Sequence, residues 1–171
     1  GGAGFEAEGE FLYKNKKTDL IRNSTLNLLF KTAILCNDSK IERKGSDKEY
    51  RVIGTSTEGS LLVMAAKANL FKEDLKSIRV EEIPFSSERK LMSILCKENS
   101  KKYVFTKGAP EILLRICDFI LKGKKIIKLT DKEKRKILAV NKKLTLNSFR
   151  TLAFAYKNVF RFLWKQGIVY F

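Results

Sequence analysis

The stretch Tyr103-Val-Phe-Thr-Lys-Gly-Ala-Pro-Glu111 sets a lysine where a β-rich run stops and a helix-opening Gly-Ala-Pro-Glu begins. Lys107 is therefore either one more surface cation or a charge held in place by the elements on its two sides. The chemistry open to the chain is bounded by what it lacks. It has no histidine, which removes imidazole acid–base catalysis, Ser-His and Cys-His nucleophile pairs and most zinc sites. Cys36, Cys96 and Cys117 are odd in number, far apart and set among apolar neighbours, so they read as buried thiols rather than a disulfide framework or a metal site. No stretch has the Gly-x-x-x-x-Gly-Lys-Ser/Thr pattern whose amides wrap a phosphate, and there is no Gly-x-Gly-x-x-Gly. Gly54-Thr-Ser-Thr-Glu-Gly59 spaces two glycines but lacks the lysine. If this chain binds a nucleotide, it must do so mainly through the base and a few side chains.

Charge points to anionic partners in general. Lys and Arg number 35 against 19 Asp and Glu, a net +16, and a field of that size favours nucleotide phosphates, nucleic acid or acidic membranes. The plainer reading is a lysine-rich, solvated surface. Only Leu121–Lys128 and Asp131–Lys136 are dense in basic residues.

The elements that would position Lys107 are mixed in type. Ser24 is placed to cap a helix carrying Leu26, Leu29, Phe30, Ala33 and Ile34 on one face, ended by Asn37-Asp38. Residues 48–54 read as a short strand. Thr57 is expected to cap a second helix, with Glu58 in its first turn. Residues 77–85, 90–97 and 101–107 are β-rich, and Glu98-Asn99-Ser100 predicts a hairpin between the last two. Pro110 suits the first position of a third helix, with Leu113, Ile116, Cys117 and Ile120 as its buried stripe. A short strand over 123–129 follows. Thr130 and Glu133 form a capping-box pattern for a fourth helix to about Asn147. Residues 150–159 read as a strand, with the final segment trailing from it. A hairpin among scattered helices predicts an α+β fold with a mainly antiparallel sheet.

Five stretches taken in order resemble one family: Cys36–Glu42 (CNDSKIE), Gly54–Leu62 (GTSTEGSLL), Pro84–Ser93 (PFSSERKLMS), Phe105–Glu111 (FTKGAPE) and Phe149–Lys157 (FRTLAFAYK). Together they look like the nucleotide-binding domain of P-type cation-transporting ATPases, most like the calcium-pump branch. The resemblance covers nearly the whole chain and implies that domain's fold, a twisted, mainly antiparallel sheet flanked by helices. It implies ATP as ligand, and places a site at Glu58, Phe85, Ser86, Lys90, Lys107, Gly108 and Arg150, with no catalytic residue and no metal ligand in this chain.

In the family, the phenylalanine at the position of Phe85 stacks on adenine. The plainer reading, a core phenylalanine among 12, is disfavoured by Pro84 before it and Ser-Ser-Glu after it. The glutamate matching Glu58 accepts from the adenine amino group, which suits an acceptor-only carboxylate; an acid in a first helical turn is also favoured by the helix dipole alone. Lys107 matches a lysine on the floor of the adenine and ribose pocket. Lys90 matches one reaching toward ribose or phosphate, and Arg150 an arginine near the phosphates. Gly108 would let the backbone pass close to the base.

Two departures stand out: Thr55 occupies a commonly acidic position, and Ser87 one that is often arginine in animal calcium pumps. The chain also lacks the Asp-Lys-Thr-Gly-Thr phosphorylation motif, the Thr-Gly-Glu-Ser actuator loop, the Gly-Asp-Gly-x-Asn-Asp magnesium segment and membrane helices. The resemblance therefore implies a single cytoplasmic domain over 1–171 of an integral membrane pump. Residues 1–12 and 160–171 would be its hinge-side ends. Phosphorylation and actuator domains would be its partners, with Mg²⁺ held elsewhere in the parent enzyme. The isolated domain is expected to be monomeric and to bind ATP without turning it over, with no nucleic acid as partner. The rival class is a basic nucleic-acid-binding module, supported by the net charge and the aromatics. A stand-alone kinase fits poorly, for want of a catalytic-loop Asp/Asn set.

Overall fold

A computed structural model describes residues 5–13, 15–17, 24–44, 50–159 and 168–170. The chain divides into two compact units, Gly1–Leu75 and Lys76–Phe171.

In the first unit, β1 (Leu12–Tyr13) pairs with β2 (Lys16–Lys17). Helix α1 (Ser24–Leu35) follows, then the antiparallel pair β3 (Lys40–Arg43) and β4 (Tyr50–Ile53), and helix α2 (Ser56–Lys67). The apolar face expected for α1 is the one it buries: Phe30 and Ile34 pack with Leu62 and Ala65 of α2. The Phe11 and Phe30 rings meet edge to face, 5.5 Å between centroids. Ser24 is itself the first helical residue rather than the cap expected of it, and the residue before it lies outside the described residues.

The cap of α2 is also displaced. Thr55, not Thr57, is the N-cap: its backbone is extended and its Oγ1 accepts from the Glu58 N–H at 3.3 Å. Either threonine could supply the hydroxyl, but only Thr55 stands three residues before an orphan amide of the first turn. This gives the departure at Thr55 a local reason, because aspartate and threonine share the capping function. Thr55→Ala is expected to lower stability by about 1 kcal/mol while Thr55→Asp holds it, as thermal melts would show.

The second unit is built on a seven-stranded sheet of order β5-β6-β7-β10-β11-β8-β9. Strands β5 (Ile78–Ser86), β6 (Leu91–Glu98) and β7 (Lys101–Gly108) form an antiparallel meander. The expected hairpin turns through Asn99, at φ 53°, a conformation asparagine tolerates better than most residues. Helix α3 (Pro110–Ile116), β8 (Phe119–Lys122), β9 (Lys125–Lys128), helix α4 (Asp131–Leu146), β10 (Ala153–Asn158) and β11 (Ile168–Tyr170) complete the order. Every ladder is antiparallel except β11 on β8. The α+β class with a mainly antiparallel sheet is thus what the chain adopts.

Two expectations change. The final segment does not simply trail: Ile168–Tyr170 enter the sheet between β10 and β8. The rest of the expected hinge-side end, 160–167 and 171, lies outside the described residues, as do residues 1–4 of the other. The stripe assigned to α3 is split. The helix stops at Ile116, which is 57% exposed, while Cys117 caps it and Ile120 belongs to β8. The core takes Leu113, Leu114, Cys117 and Ile120 together with Leu91, Leu129, Ala153 and Ala155. A spacing of seven residues kept two of these on one apparent helical face because the same core receives both elements.

Helix α4 begins as read, with Thr130 Oγ1 accepting from the Glu133 N–H at 3.3 Å. The Glu133 carboxylate turns to Lys122 and Lys136, and the hydrogen bond from Lys122 holds it below the usual carboxylate range. The two dense basic stretches therefore meet, on β8–β9 and the start of α4. No helix among the described residues is long and apolar enough to cross a membrane.

All three cysteines are buried and unpaired with one another. Burial, with Asp118 adding to it, pushes the Cys117 thiol up to about 12. A thiol in that state is protonated and poorly nucleophilic at neutral pH. Iodoacetamide at pH 8 is expected to spare the native chain and to alkylate all three positions after denaturation, as intact mass would record.

Candidate functional site

The first unit positions Glu58. It lies in the first turn of α2, half-buried, and the loop after α1 grips it at two points. Asn37 Nδ2 donates to the Glu58 carbonyl at 2.9 Å and to the Ala33 carbonyl at 3.2 Å. Ser39 Oγ donates to Glu58 Oε2 at 3.1 Å. Asn37 Oδ1 accepts from the Ser39 N–H at 3.0 Å, and Ser39 Oγ accepts from the Thr55 N–H at 3.1 Å. The first two quoted motifs are thus one hydrogen-bonded assembly. Gly54 belongs to it through close approach: its φ is +125°, and a Cβ there would fall on the Ser39 hydroxyl.

The second unit gathers five of the other predicted residues where β5, β6 and β7 end. Phe85 stands one residue from the end of β5 and is 57% exposed. The chain then turns: the Ser86 carbonyl accepts from the Lys90 N–H at 2.7 Å, and Ser86 Oγ accepts from the Arg89 N–H at 3.2 Å. Lys90 is exposed and sits at φ 55°. Its carbonyl accepts from the Ala109 N–H at 3.0 Å, which ties this turn to the junction after β7. A Cβ at Gly108 would fall on that same carbonyl. Gly108 thus has a packing reason beside the ligand-based one.

Lys107 is 5% exposed. It pairs across the sheet with Met92 on one side and Phe154 on the other, both buried. Lysine is almost never buried to this degree without a partner group, so its setting is not that of a surface charge. Ser86, Leu91, Gly108 and Ala153 form the neighbouring row of the ladder. Between Ile83 and Ser86 the β5–β6 register shifts, so that Pro84 and Phe85 together stand across from Met92.

Arg150 is exposed, in the segment between α4 and β10, three residues before the Ala153 that pairs with Gly108. Glu58 belongs to the other unit. Ser87, in place of arginine, is exposed at the turn. Arg89, two residues on, has a buried Nη1 with no hydrogen-bond partner. Among the described residues no group of three or more His, Cys, Asp or Glu is placed to hold a metal ion.

Asn37 enters the sequence reading only as a helix end and Ser39 not at all, although both lie in the first quoted motif. The available signal was local: two polar residues after a buried helix end must find partners, because buried polar groups are hydrogen-bonded.

Residues 25–162 match the family described as the cytoplasmic N domain of P-type ATPases, and the chain belongs to that family. Its curated relatives include a calcium-transporting ATPase of Bacillus subtilis, 34% identical over 161 residues, which are 92% of this chain and 18% of the relative. Calcium-transporting ATPase 1 of Lactococcus lactis is 35% identical over 144 residues, 83% of this chain and 16% of the relative. A probable plasma membrane-type calcium-transporting ATPase 9 of rice is 33% identical over 144 residues, 82% and 14% respectively. The chain thus spans less than a fifth of the length of these proteins.

Proposed function

We propose that this chain is the ATP-binding part of a cation-transporting P-type pump, holding the nucleotide by its base. In this reading Phe85 stacks on adenine, Glu58 accepts from its amino group, and Lys107 with Gly108 forms the floor under adenine and ribose. Ser86 and Lys90 line the ribose side, and Arg150 approaches the phosphates. The γ-phosphate is left projecting toward an aspartate of a phosphorylation domain that this chain does not contain. Phosphoryl transfer depends on positioning and charge neutralisation, so the contribution of this part is delivery by closure of one domain on another. The parent enzyme would be an ATP-driven translocase, its Mg²⁺ supplied by the phosphorylation domain, and residues 1–12 and 160–171 would lie toward that domain.

The observation that carries the reading is Phe85: an aromatic ring left more than half exposed at a strand end, beside the turn that the Lys90 carbonyl ties to the junction following Lys107 and Gly108. An apolar ring gains nothing from water, and a purine face would cover it.

The test is a titration of the 171-residue chain with ATP, followed by backbone amide shifts. Amides around Phe85, Glu58 and Lys107 are expected to move, with and without Mg²⁺, and no ADP should accumulate. If those amides stay still while others move, the site is wrong. Competition separates the rival class. Adenosine should displace a labelled ATP analogue in this reading, whereas a salt-sensitive displacement by oligonucleotide alone would mark the basic face of β8–β9 and α4 as a nucleic-acid surface.

A further inference from the structure

We infer that Ser39 is a positioning residue for the Glu58 carboxylate and thereby sets how strongly the chain distinguishes purines bearing a 6-amino group from those without one. The inference rests on the reading above in which Glu58 accepts from adenine.

The Ser39 hydroxyl stands between two groups of opposite kind. Its Oγ accepts from the Thr55 N–H. A backbone amide is a donor only and a carboxylate an acceptor only, so the hydroxyl proton is directed at Glu58 Oε2. The polarity of the bond is therefore imposed by the backbone rather than chosen by a rotating hydroxyl. Ser39 cannot drift: it is 8% exposed, its own N–H is held by Asn37 Oδ1, and Gly54 closes over its hydroxyl with no Cβ in the way.

Asn37 meanwhile fixes the other end of Glu58 by bonding its backbone carbonyl. A glutamate in a first helical turn otherwise samples many rotamers. With both its backbone and its head group held, its carboxylate plane is set before any ligand arrives. That lowers the ordering cost of binding. It also explains why a hydroxyl buried between a helix cap and a loop lies opposite a carboxylate at all. An alanine would fill the same space but would take this acceptor from the Thr55 N–H and this donor from the carboxylate.

The signature of such a residue is that its loss is felt only by ligands that use the carboxylate. Wild type and variants would be titrated with ATP and with purine riboside 5′-triphosphate, which keeps the ribose and phosphates but lacks the 6-amino donor. Ser39→Ala is expected to weaken ATP about three- to tenfold, the scale of one hydrogen bond, and to leave purine riboside triphosphate within about twofold. Ser39→Thr, which keeps the hydroxyl, should restore the ATP affinity. In a Glu58→Ala background the further change at Ser39 should cost ATP nothing.

Equal weakening of both nucleotides by Ser39→Ala would reduce Ser39 to a fold-maintaining residue. Unchanged ATP binding, with Glu58→Ala still harmful, would remove its role altogether. Either result leaves the reading of Glu58 standing. If Glu58→Ala itself fails to alter the ratio of the two affinities, base recognition by Glu58 falls, and this inference with it. Should Ser39→Ala not give a cooperative melt, Ser39→Cys, a poorer donor of similar size, carries the same expectation.

Discussion

Phe85→Ala is expected to abolish most ATP binding while leaving the fold nearly untouched. Stacking of a base on an aromatic ring contributes about 1–3 kcal/mol, so Kd should rise roughly 5- to 150-fold. The folding cost is small because the ring is already exposed, and exposed substitutions usually stay within about 0.5 kcal/mol. This separation of binding from stability is what distinguishes a ligand platform from a core residue, since truncating a buried phenylalanine costs about 3–5 kcal/mol of stability. Phe85→Trp should keep binding, because the contact needs a π face rather than one shape. Ile126→Ala, which trims another exposed apolar residue of the same unit, should change neither quantity. Calorimetric titration with a parallel thermal melt reads both. An unchanged Kd in Phe85→Ala would sink the stacking role.

What was legible in the sequence follows the range of the interactions involved. Pro110 opening a helix, Asn99 turning a hairpin and Thr130 capping α4 are decided by neighbours within a few residues, and each appears where local chemistry puts it. Thr55 and Thr57 both precede an acid and a helical run, so local chemistry does not choose between them as the cap of α2, and only the ladder of β3 on β4 settles where the extended backbone ends. The apparent helical stripe across Cys117 and Ile120 arises because periodicity reports burial without naming the element that is buried. The pairing of Ile168–Tyr170 with β8 joins residues far apart in the chain, and nothing in a local window encodes it. The same limit applies at the candidate site. Lys107 was conspicuous from its flanks, but its burial is a property of Met92 and Phe154 across the sheet. Ser39 is conspicuous only once its hydroxyl is found between an amide and a carboxylate.

Gly108→Ala is expected to be among the most damaging single changes in the second unit, and the reason is space rather than backbone freedom. An alanine methyl would fall on the Lys90 carbonyl oxygen and against the Leu91 side chain, and would stand 3.0 Å from the Leu91 Cα. None of these neighbours gives easily. The Lys90 carbonyl is committed to the Ala109 N–H. Leu91 is Gly108's own ladder partner and part of the buried cluster beneath α3. Ala153 holds the opposite side of the same row. Overpacking of this kind costs about 1–3 kcal/mol or more. Parting Lys90 from Ala109 would add about 0.5–1.5 kcal/mol.

The contrast is with Gly123, which sits at φ +59° and where a Cβ would meet no atom within 4 Å. There the requirement is conformational, and Gly123→Asn should be close to neutral, because asparagine tolerates the left-handed region. Thermal melts of the two variants should therefore diverge widely. The displaced junction also carries Lys107, so Gly108→Ala should weaken ATP binding under conditions where the chain is still folded, whereas Gly123→Asn should not. A Gly108→Ala chain that melts with wild type would mean that the β6 turn and the β7 junction are not locked together through Lys90, and the close approach would then have to be explained by the ligand alone.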